Sequence, residues 1–234
     1  MVRLTTTRGN TMKGTLILLA LAALLPSAAS GDNLDFSYLE AGLSHSSLRN
    51  YAGGNGYAID GAYALTDTLF LDGHIEHSSF KDNTVLSPFG TTLGSITLDR
   101  DAAHLGMKFP MNEAVDVLFR LGVTRLTVDN EFDPNDNLTS YDLGLGLRAD
   151  LGAGFELEAD IGQNQAAFGY FESSNLIGVE ATDGNETSAT VAFRYHVIDR
   201  FMVGLSYGLR HDNPGHGDTS SDMHTWLLSA RWAF

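Results

Sequence analysis

The chain has 234 residues, a length that suits a single domain. It contains no cysteine, which excludes disulfide bonds, thiolate metal sites and cysteine nucleophiles. The formal net charge of −15 argues against nucleic acid as a partner, because phosphates attract basic surfaces. An excess of acid mainly favours solubility, so the charge alone points to no substrate.

Residues 12–30 carry the pattern of a secretory signal peptide. A basic start at Lys13 is followed by an apolar run over residues 16–25 and then by small residues. This run is about half the ~20 residues that a membrane-spanning helix needs, which favours a cleaved signal over an anchor. We therefore predict a signal peptide over residues 1–30, with cleavage after Ala29 or Ser30, and a mature domain over residues 31–234. Met12 is an alternative start of translation.

After the signal, segments with a hydrophobic period of two follow one another, as in strands with one apolar face. In the amino-terminal half, apolar side chains alternate with polar or small ones over residues 39–43, 57–65 and 69–75. The segment over residues 95–109 is the least regular, because its continuous apolar face contains only Ala103, Leu105, Met107 and Phe109. The first half of the mature chain therefore predicts four strands.

The carboxyl-terminal half alternates more cleanly and predicts six further strands. Apolar residues occupy every second position over residues 115–123, 141–151, 155–161, 189–197 and 201–209. The last segment, near residues 223–234, places Trp226, Trp232 and Phe234 on one face up to the final residue. Aromatic residues near the ends of such strands are typical of proteins that cross a membrane as a barrel.

The links between these segments alternate in length. Tight links fall at residues 66–67, 110–113, 152–154 and 198–200, and long polar links fall near residues 46–55, 79–94, 129–137, 166–186 and 211–222. Short turns on one side and long loops on the other are the signature of transmembrane barrels, whose closure satisfies every backbone group in lipid. We therefore predict an all-β fold, a transmembrane antiparallel up-and-down β-barrel of ten strands, with eight strands as the alternative.

The polar face of each predicted strand carries charged residues that would face the lumen of the barrel. The predicted lumen network comprises Glu40, Asp60, Asp72, Glu76, Lys108, Arg120, Asp142, Arg148, Glu158, Asp160, Arg194, Arg210 and Arg231. Closure sets the first strand against the last and would bring Glu40 near Arg231. These charges could line a permeation path or fill the interior as ion pairs. A barrel of eight to ten strands is barely wide enough for its own side chains, which favours ion pairs.

Two classes of outer-membrane enzyme offer candidate catalytic residues near the long links, the first of them in the polar link over residues 209–216. Outer-membrane lipid A deacylases have a serine nucleophile two residues after a histidine, but here Asn213 follows His211 and cannot be acylated. Hydroxyl groups for a serine triad occur nearby at Ser220 and Ser221. Omptin-type proteases use aspartate and histidine at the barrel rim, for which the candidates are Asp129, Asp133, Asp212, Asp222, His211 and His216. We find no omptin motif, and we predict no catalytic residue.

Metal and cofactor sites have only weak signals. Residues 129–137 place oxygen-bearing side chains on alternate positions, which suits calcium, but they lack the glycine and the final glutamate of an EF-hand loop. The histidines are dispersed without metal-ligand spacing. Residues 53–56 are glycine-rich, but no predicted helix follows to hold a phosphate. We therefore predict no metal and no cofactor.

The mature chain resembles the small single-chain bacterial outer-membrane β-barrel family, which includes opacity- and adhesin-type proteins. The resemblance is carried by Tyr38-Leu-Glu40-Ala-Gly42, by the repeating strands and by the terminal Trp232-Ala-Phe234. It implies a bacterial outer-membrane location in a Gram-negative-type envelope, with the loops extracellular and both termini periplasmic. Trp232 and Phe234 would then form the assembly signal that is presented to the barrel-insertion machinery.

The same resemblance implies partners and a function. The expected partners are outer-membrane lipid, lipopolysaccharide and the barrel-insertion machinery, with a surface ligand at the loops and no nucleic acid. The expected function is non-enzymatic and concerns adhesion, host contact or envelope integrity at the cell surface. A narrow porin-like channel and an envelope hydrolase stay open as alternatives.

Overall fold

Ten strands make up almost all of the computed structural model, which describes residues 36–48, 53–80, 95–130, 136–170, 185–213 and 221–234. The predicted signal peptide lies outside the described residues. In chain order the strands are β1 (Tyr38–Leu48), β2 (Gly54–Ala64), β3 (Leu69–Phe80), β4 (Ile96–Asn112), β5 (Val115–Asn130), β6 (Asp136–Gly152), β7 (Phe155–Tyr170), β8 (Asn185–Ile198), β9 (Phe201–Asn213) and β10 (Ser221–Ala233). The described residues include no helix that is long and apolar enough to cross a membrane.

The strands form a closed barrel in which every strand is antiparallel to its neighbours in the chain. Closure occurs between β1 and β10, in a register that opposes Tyr38 to Ala233 and Leu48 to Met223. A closed sheet has no free edge, so each strand finds hydrogen-bond partners on both sides. The predicted ten-stranded up-and-down barrel is confirmed, and the alternative of eight strands is wrong.

Short turns join the strands at one end of the barrel, over residues 65–68, 113–114, 153–154 and 199–200. Polar side chains support these turns: Asn112 Oδ1 accepts a hydrogen bond from the backbone N–H of Ala114 (2.9 Å), and Asp150 Oδ1 accepts one from Gly152 (2.7 Å). Residues 152–154 all have positive φ, which glycine permits at two of the three positions. The links at the other end, hereafter the loop end, are generally longer.

Alternation along each strand separates an apolar outer face from a polar inner face. The outward side chain of Leu43 is 74% exposed, whereas the inward side chain of Arg231 is 2% exposed. Exposed aromatic residues lie near both ends of the outer face: Tyr63, Phe109, Phe155, Tyr195 and Trp232 towards the turns, and Tyr57, Tyr141 and Trp226 towards the loop end. Two such girdles mark the boundaries of the apolar band that contacts lipid.

Two apolar clusters lie towards the turn end. Inside the barrel, Phe36 packs with Phe70 and Leu118, and the two phenyl rings are 5.2 Å apart between centroids. Phe70 covers Gly106 on the adjacent strand, where a Cβ atom would overlap its ring. A second cluster involves outward positions of β5, β6 and β7, and it contains Ala114, Val115, Leu147, Ala149 and Ala159. The inner cluster fills the turn end of the lumen with side chains.

The polarity of the two faces is inverted near the loop end. The inward positions there are apolar at Leu48, Leu98, Leu126, Val128 and Met223. The outward positions at the same end are polar, as at Asp99, Arg125 and Asp222. The strands therefore continue beyond the lipid-facing band, because an outward carboxylate does not belong in hydrocarbon.

Candidate functional site: the lumen

Six charged residues form a compact network inside the barrel towards the turn end, and we call them the basal network. They are Glu40, Arg148, Glu156, Glu158, Arg194 and Arg231. Arg231 Nε donates to Glu40 Oε2 (2.7 Å), across the β1–β10 seam. Arg194 Nη1 donates to Glu158 Oε2 (2.7 Å). All six side chains are buried, so their mutual pairing replaces the water that each charge has lost.

Glu156 is the point where three arginines converge. Its carboxylate accepts hydrogen bonds from Arg148 Nη2 (2.6 Å), Arg194 Nη1 (3.1 Å) and Arg231 Nη1 (3.3 Å). Its side chain is only 1% exposed. Charge-assisted hydrogen bonds of this kind are stronger than neutral ones and fix the orientation of each guanidinium group.

Aromatic rings lie against the cations of this region. The guanidinium carbon of Arg231 lies 3.6 Å from the centroid of the Tyr38 ring, and that of Arg148 lies 4.9 Å from the centroid of Phe36. The Lys108 ammonium group lies 4.6 Å from the same Phe36 ring. These cation–π contacts join the basal network to the inner apolar cluster. Together the two groups occupy the lumen at the turn end.

Histidines and carboxylates alternate in the middle of the lumen. His104 contacts Asp72 through Nδ1 (2.5 Å) and Asp142 through Nε2 (2.9 Å). His74 contacts Asp60 (2.6 Å) and Glu76 (3.4 Å) in the same manner. Each imidazole therefore bridges two acidic side chains, which limits the repulsion between them.

Arg120 connects this middle layer to the basal network. Its guanidinium group donates to Asp72 (3.0 Å) and to Glu158 (3.1 Å), and it also pairs with Asp160. Gly146 makes room for this contact, because a Cβ atom there would overlap the Asp160 carboxylate. One continuous set of contacts thus runs from the turn end to the middle of the barrel.

Two ion pairs span the lumen nearer the loop end, and we call them the crossing pairs. Arg100 on β4 pairs with Glu186 on β8, with Nη1 2.7 Å from Oε1, and Glu186 also accepts from Asn164 (3.0 Å). Arg210 on β9 pairs with Glu76 on β3, with Nη2 2.5 Å from Oε2. In both cases the partners come from strands that are well separated around the barrel. The crossing pairs therefore tie opposite walls together.

A cavity of about 280 Å³ separates the basal network from the crossing pairs. Its wall includes Glu40 and Arg231 at one end and Arg100 and Glu186 at the other. Arg148 and Glu156, on the turn side of the cavity, are almost fully buried. The cavity therefore ends at the basal network.

Comparison with known proteins identifies the family. Residues 15–196 match the family model for the outer membrane protein β-barrel domain. The chain belongs to this outer-membrane β-barrel family. The match includes the first eight strands almost completely, and the structure adds β9 and β10 to close the same barrel. The family places the protein in the bacterial outer membrane.

Solved structures share the fold of this outer-membrane barrel at low sequence identity. An outer membrane channel from Pseudomonas putida F1 is 12% identical, with 89% of this chain and 99% of that chain covered and a TM-score of 0.54. The translocator domain of the autotransporter NalP from Neisseria meningitidis is 9% identical, with 96% and 95% covered and a TM-score of 0.50.

The attachment invasion locus protein Ail of Yersinia pestis is 11% identical, with 86% and 100% covered and a TM-score of 0.38. A search of curated proteins gave no match. At identities this low, the similarity to the Pseudomonas channel and to the NalP translocator domain shows the fold alone.

The structure brings together most of the lumen residues expected from the sequence of this outer-membrane barrel. Twelve of the thirteen make the contacts described above, including the Glu40–Arg231 pair. Lys108 lies apart from them, over the Phe36 ring.

Sequence reasoning omitted three residues that complete the network: Arg100, Glu156 and Glu186. Arg100 lies an even number of residues from His104 and Lys108 along β4, so all three face the same side of the sheet. This spacing is the sequence signal that could have identified Arg100 as a lumen residue. Glu186 was assigned to a link over residues 166–186, whereas β7 continues to Tyr170 and β8 begins at Asn185.

The structure describes only some of the candidate catalytic residues at the loop end. His211 Nδ1 lies 2.6 Å from Asp222 Oδ1 on the outer face, and both side chains are about half exposed. Asp212, the next residue, lines the lumen instead. Asp133, His216 and Ser220 lie outside the described residues, as does most of the calcium-like stretch, and only the backbone is described at Asn213 and Ser221. Within the described ranges, no group of three His, Asp or Glu side chains could hold a metal ion.

Removing the Glu156 carboxylate tests the basal network. We expect Glu156→Ala to lower the free energy of unfolding by about 3–5 kcal/mol, because three buried guanidinium groups lose a common partner. The measurement is urea-induced unfolding of the protein in phospholipid vesicles, followed by tryptophan fluorescence.

The matched control is Glu113→Ala, since Glu113 is an exposed acidic residue in the turn between β4 and β5. That variant should change stability by less than about 0.5 kcal/mol. Equal effects of the two substitutions would contradict a network that stabilises the barrel.

Proposed function

We propose that this protein is a non-enzymatic surface protein, whose barrel is a closed anchor and whose long loops contact partners outside the cell. The observation that carries the proposal is the basal network with its adjoining apolar cluster. An ion that crossed this layer would have to separate buried pairs such as Arg148–Glu156, which are costly to break in a region of low dielectric. A barrel with this interior is suited to presenting its loops.

The orientation follows the usual arrangement of such barrels, with short turns in the periplasm and longer loops outside. Both described ends of the chain, Phe36 and Phe234, lie at the turn end and would be periplasmic. Trp232 and Phe234 are about half exposed, so their rings are accessible to the barrel-insertion machinery. These two residues are our candidates for the assembly signal.

Lipopolysaccharide is the proposed lateral partner of the outer face at the loop end. Polar side chains lie on that face beyond the aromatic girdle, in particular the pairs His77–Asp99 and His211–Asp222. Lipopolysaccharide presents sugar hydroxyls and phosphates at this level. Partly exposed imidazoles and carboxylates can hydrogen-bond to hydroxyls directly and can share divalent cations with phosphates.

The loops should carry any adhesive activity. If the protein acts in adhesion or host contact, non-adherent bacteria that display the full chain should bind immobilised extracellular matrix or host cells. A variant that lacks residues 83–92 and 173–182 should lose this binding, because the deletions shorten the two longest links and spare every strand.

A smaller apparent mass of the unboiled protein on a denaturing gel would show that the shortened barrel still folds. The turn variant Glu113→Ala is the control and should retain binding. Full binding by the folded double-deletion variant would contradict loop-mediated adhesion.

A narrow channel is the second candidate, and the cavity between the basal network and the crossing pairs favours it. Planar-bilayer recordings separate the two functions. We expect the folded full-length protein to show no stable unit conductance, because the basal network fills the turn end of the lumen. A stable conductance that Arg120→Ala or Arg194→Ala alters would instead support the channel, since both residues line the cavity.

A further inference from the structure

A second, smaller cavity of about 160 Å³ lies on the loop side of the crossing pairs. Its apolar wall consists of five inward side chains from four strands: Leu48, Leu98, Leu126, Val128 and Met223. The lumen is charged along most of its length, so an apolar wall at this level is unexpected. Packing of the described side chains alone does not fill the space that these residues enclose.

The floor of this cavity is polar and contains atoms without partners. Glu76 and Ser78 line the cavity and are 4% and 1% exposed, yet Glu76 Oε1 and Ser78 Oγ have no hydrogen-bond partner among the described residues. The same holds for Nε of Arg100. Buried polar atoms are normally paired, so three such atoms on residues that line one cavity point to a place where a polar group binds.

The charges of the floor are already compensated. Arg100 pairs with Glu186, and Arg210 pairs with Glu76. Asp212 also lines the cavity, but it is exposed, so solvent screens its charge. The two cations of the floor therefore face the two anions with which they pair. An additional ion of either sign would be buried without a partner, which disfavours carboxylate and ammonium head groups.

The unpartnered atoms select a neutral head group that can both donate and accept. Glu76 Oε1 accepts a hydrogen bond, Nε of Arg100 donates one, and Ser78 Oγ can do either. A hydroxyl group satisfies these demands, whereas an alkyl chain satisfies none. The volume limits the rest of the ligand, because a cavity of about 150 Å³ lined by apolar side chains is known to hold benzene.

We propose that this cavity binds a small neutral amphiphile, with its hydroxyl group on Glu76, Ser78 and Arg100 and an apolar portion of about six carbons among the five aliphatic side chains. The site lies within the lumen and is distinct from the loops that we propose for surface contacts. This proposal and the proposal of loop-mediated adhesion can therefore be tested separately, and failure of one does not contradict the other.

A series of probes with the same tail and different heads tests the site. The full-length folded protein in phospholipid nanodiscs is titrated with hexan-1-ol, hexanoate and hexylammonium, and binding is followed by saturation-transfer NMR after subtraction of empty nanodiscs. We expect saturable binding of hexan-1-ol and at least about tenfold weaker binding of both ions. Equal binding of the three probes, or no saturable excess over empty nanodiscs, would overturn the proposal.

Two matched pairs of variants locate the binding. Ser78→Ala removes an unpartnered hydroxyl and should weaken hexan-1-ol binding by about three- to tenfold. The control Ser46→Ala removes an equally buried hydroxyl that is bonded to Thr225 and lies outside both cavities. This control should leave the affinity unchanged, and a larger loss in Ser46→Ala than in Ser78→Ala would refute the assignment.

The second pair of variants tests whether a large side chain that fills the cavity abolishes binding. Leu126→Trp should abolish binding, while Leu121→Trp, at an exposed outward position of the same strand, should preserve it. Heat-dependent gel mobility shows which variants fold, and if Leu126→Trp does not fold, the serine pair decides. Undiminished binding in folded Leu126→Trp would place the probe elsewhere.

Discussion

A closed barrel of ten strands leaves an interior hardly wider than its own side chains, so every inward charge needs a partner. The interior of this protein is organised around that constraint. Arginines extend across the lumen to carboxylates on other walls, as Arg194 does to Glu40. Glycines on neighbouring strands supply the space, because a side chain at Gly204 would approach Arg194 and Ser229 too closely.

The outer face is governed by a different constraint, which is that lipid accepts only apolar side chains and satisfied backbone groups. Closure between β1 and β10 removes the free edges, and alternation directs leucine, valine and aromatic side chains outward. The two constraints act on adjacent residues of the same strand. The sequence therefore has a period of two, and a shift of one residue would place charges in hydrocarbon.

Because the lumen is closed at the turn end, we assign the function to other parts of the molecule. The basal network and the apolar cluster of Phe36, Phe70 and Leu118 leave no wide path at the turn end, and this is why we assign surface contacts to the loops. The inversion of polarity at the loop end adds a second possibility. There the lumen is apolar above the crossing pairs, which suits a small amphiphile better than a hydrated ion.

The strands and their faces could be predicted from the sequence wherever the two faces differ in polarity. An example is β6, where leucine side chains point outward. The segment of β4 appeared irregular for a physical reason: Asp99 and Asp101 face outward beyond the lipid, while Leu98 faces inward, so the alternation is inverted there. Arg100 was missed for the same reason.

Contacts between adjacent strands, such as Glu40–Arg231, follow from the order of the strands. Contacts across the lumen, such as Glu76–Arg210, depend on the tilt and stagger of the closed barrel, which the residue pattern does not encode.

Site-directed spin labelling of β10 tests the central claim most directly, because the chain has no cysteine and each variant therefore carries one label. Labels at residues 227–230 are compared for collision with oxygen dissolved in lipid and with a water-soluble nickel complex. The account predicts frequent oxygen collisions at Leu228 and Ala230, and few collisions with either reagent at Ser229, which hydrogen-bonds to Glu40 in the basal network. Ready access of the nickel complex to Ser229 would contradict a closed turn end, and loss of the alternation would contradict the barrel itself.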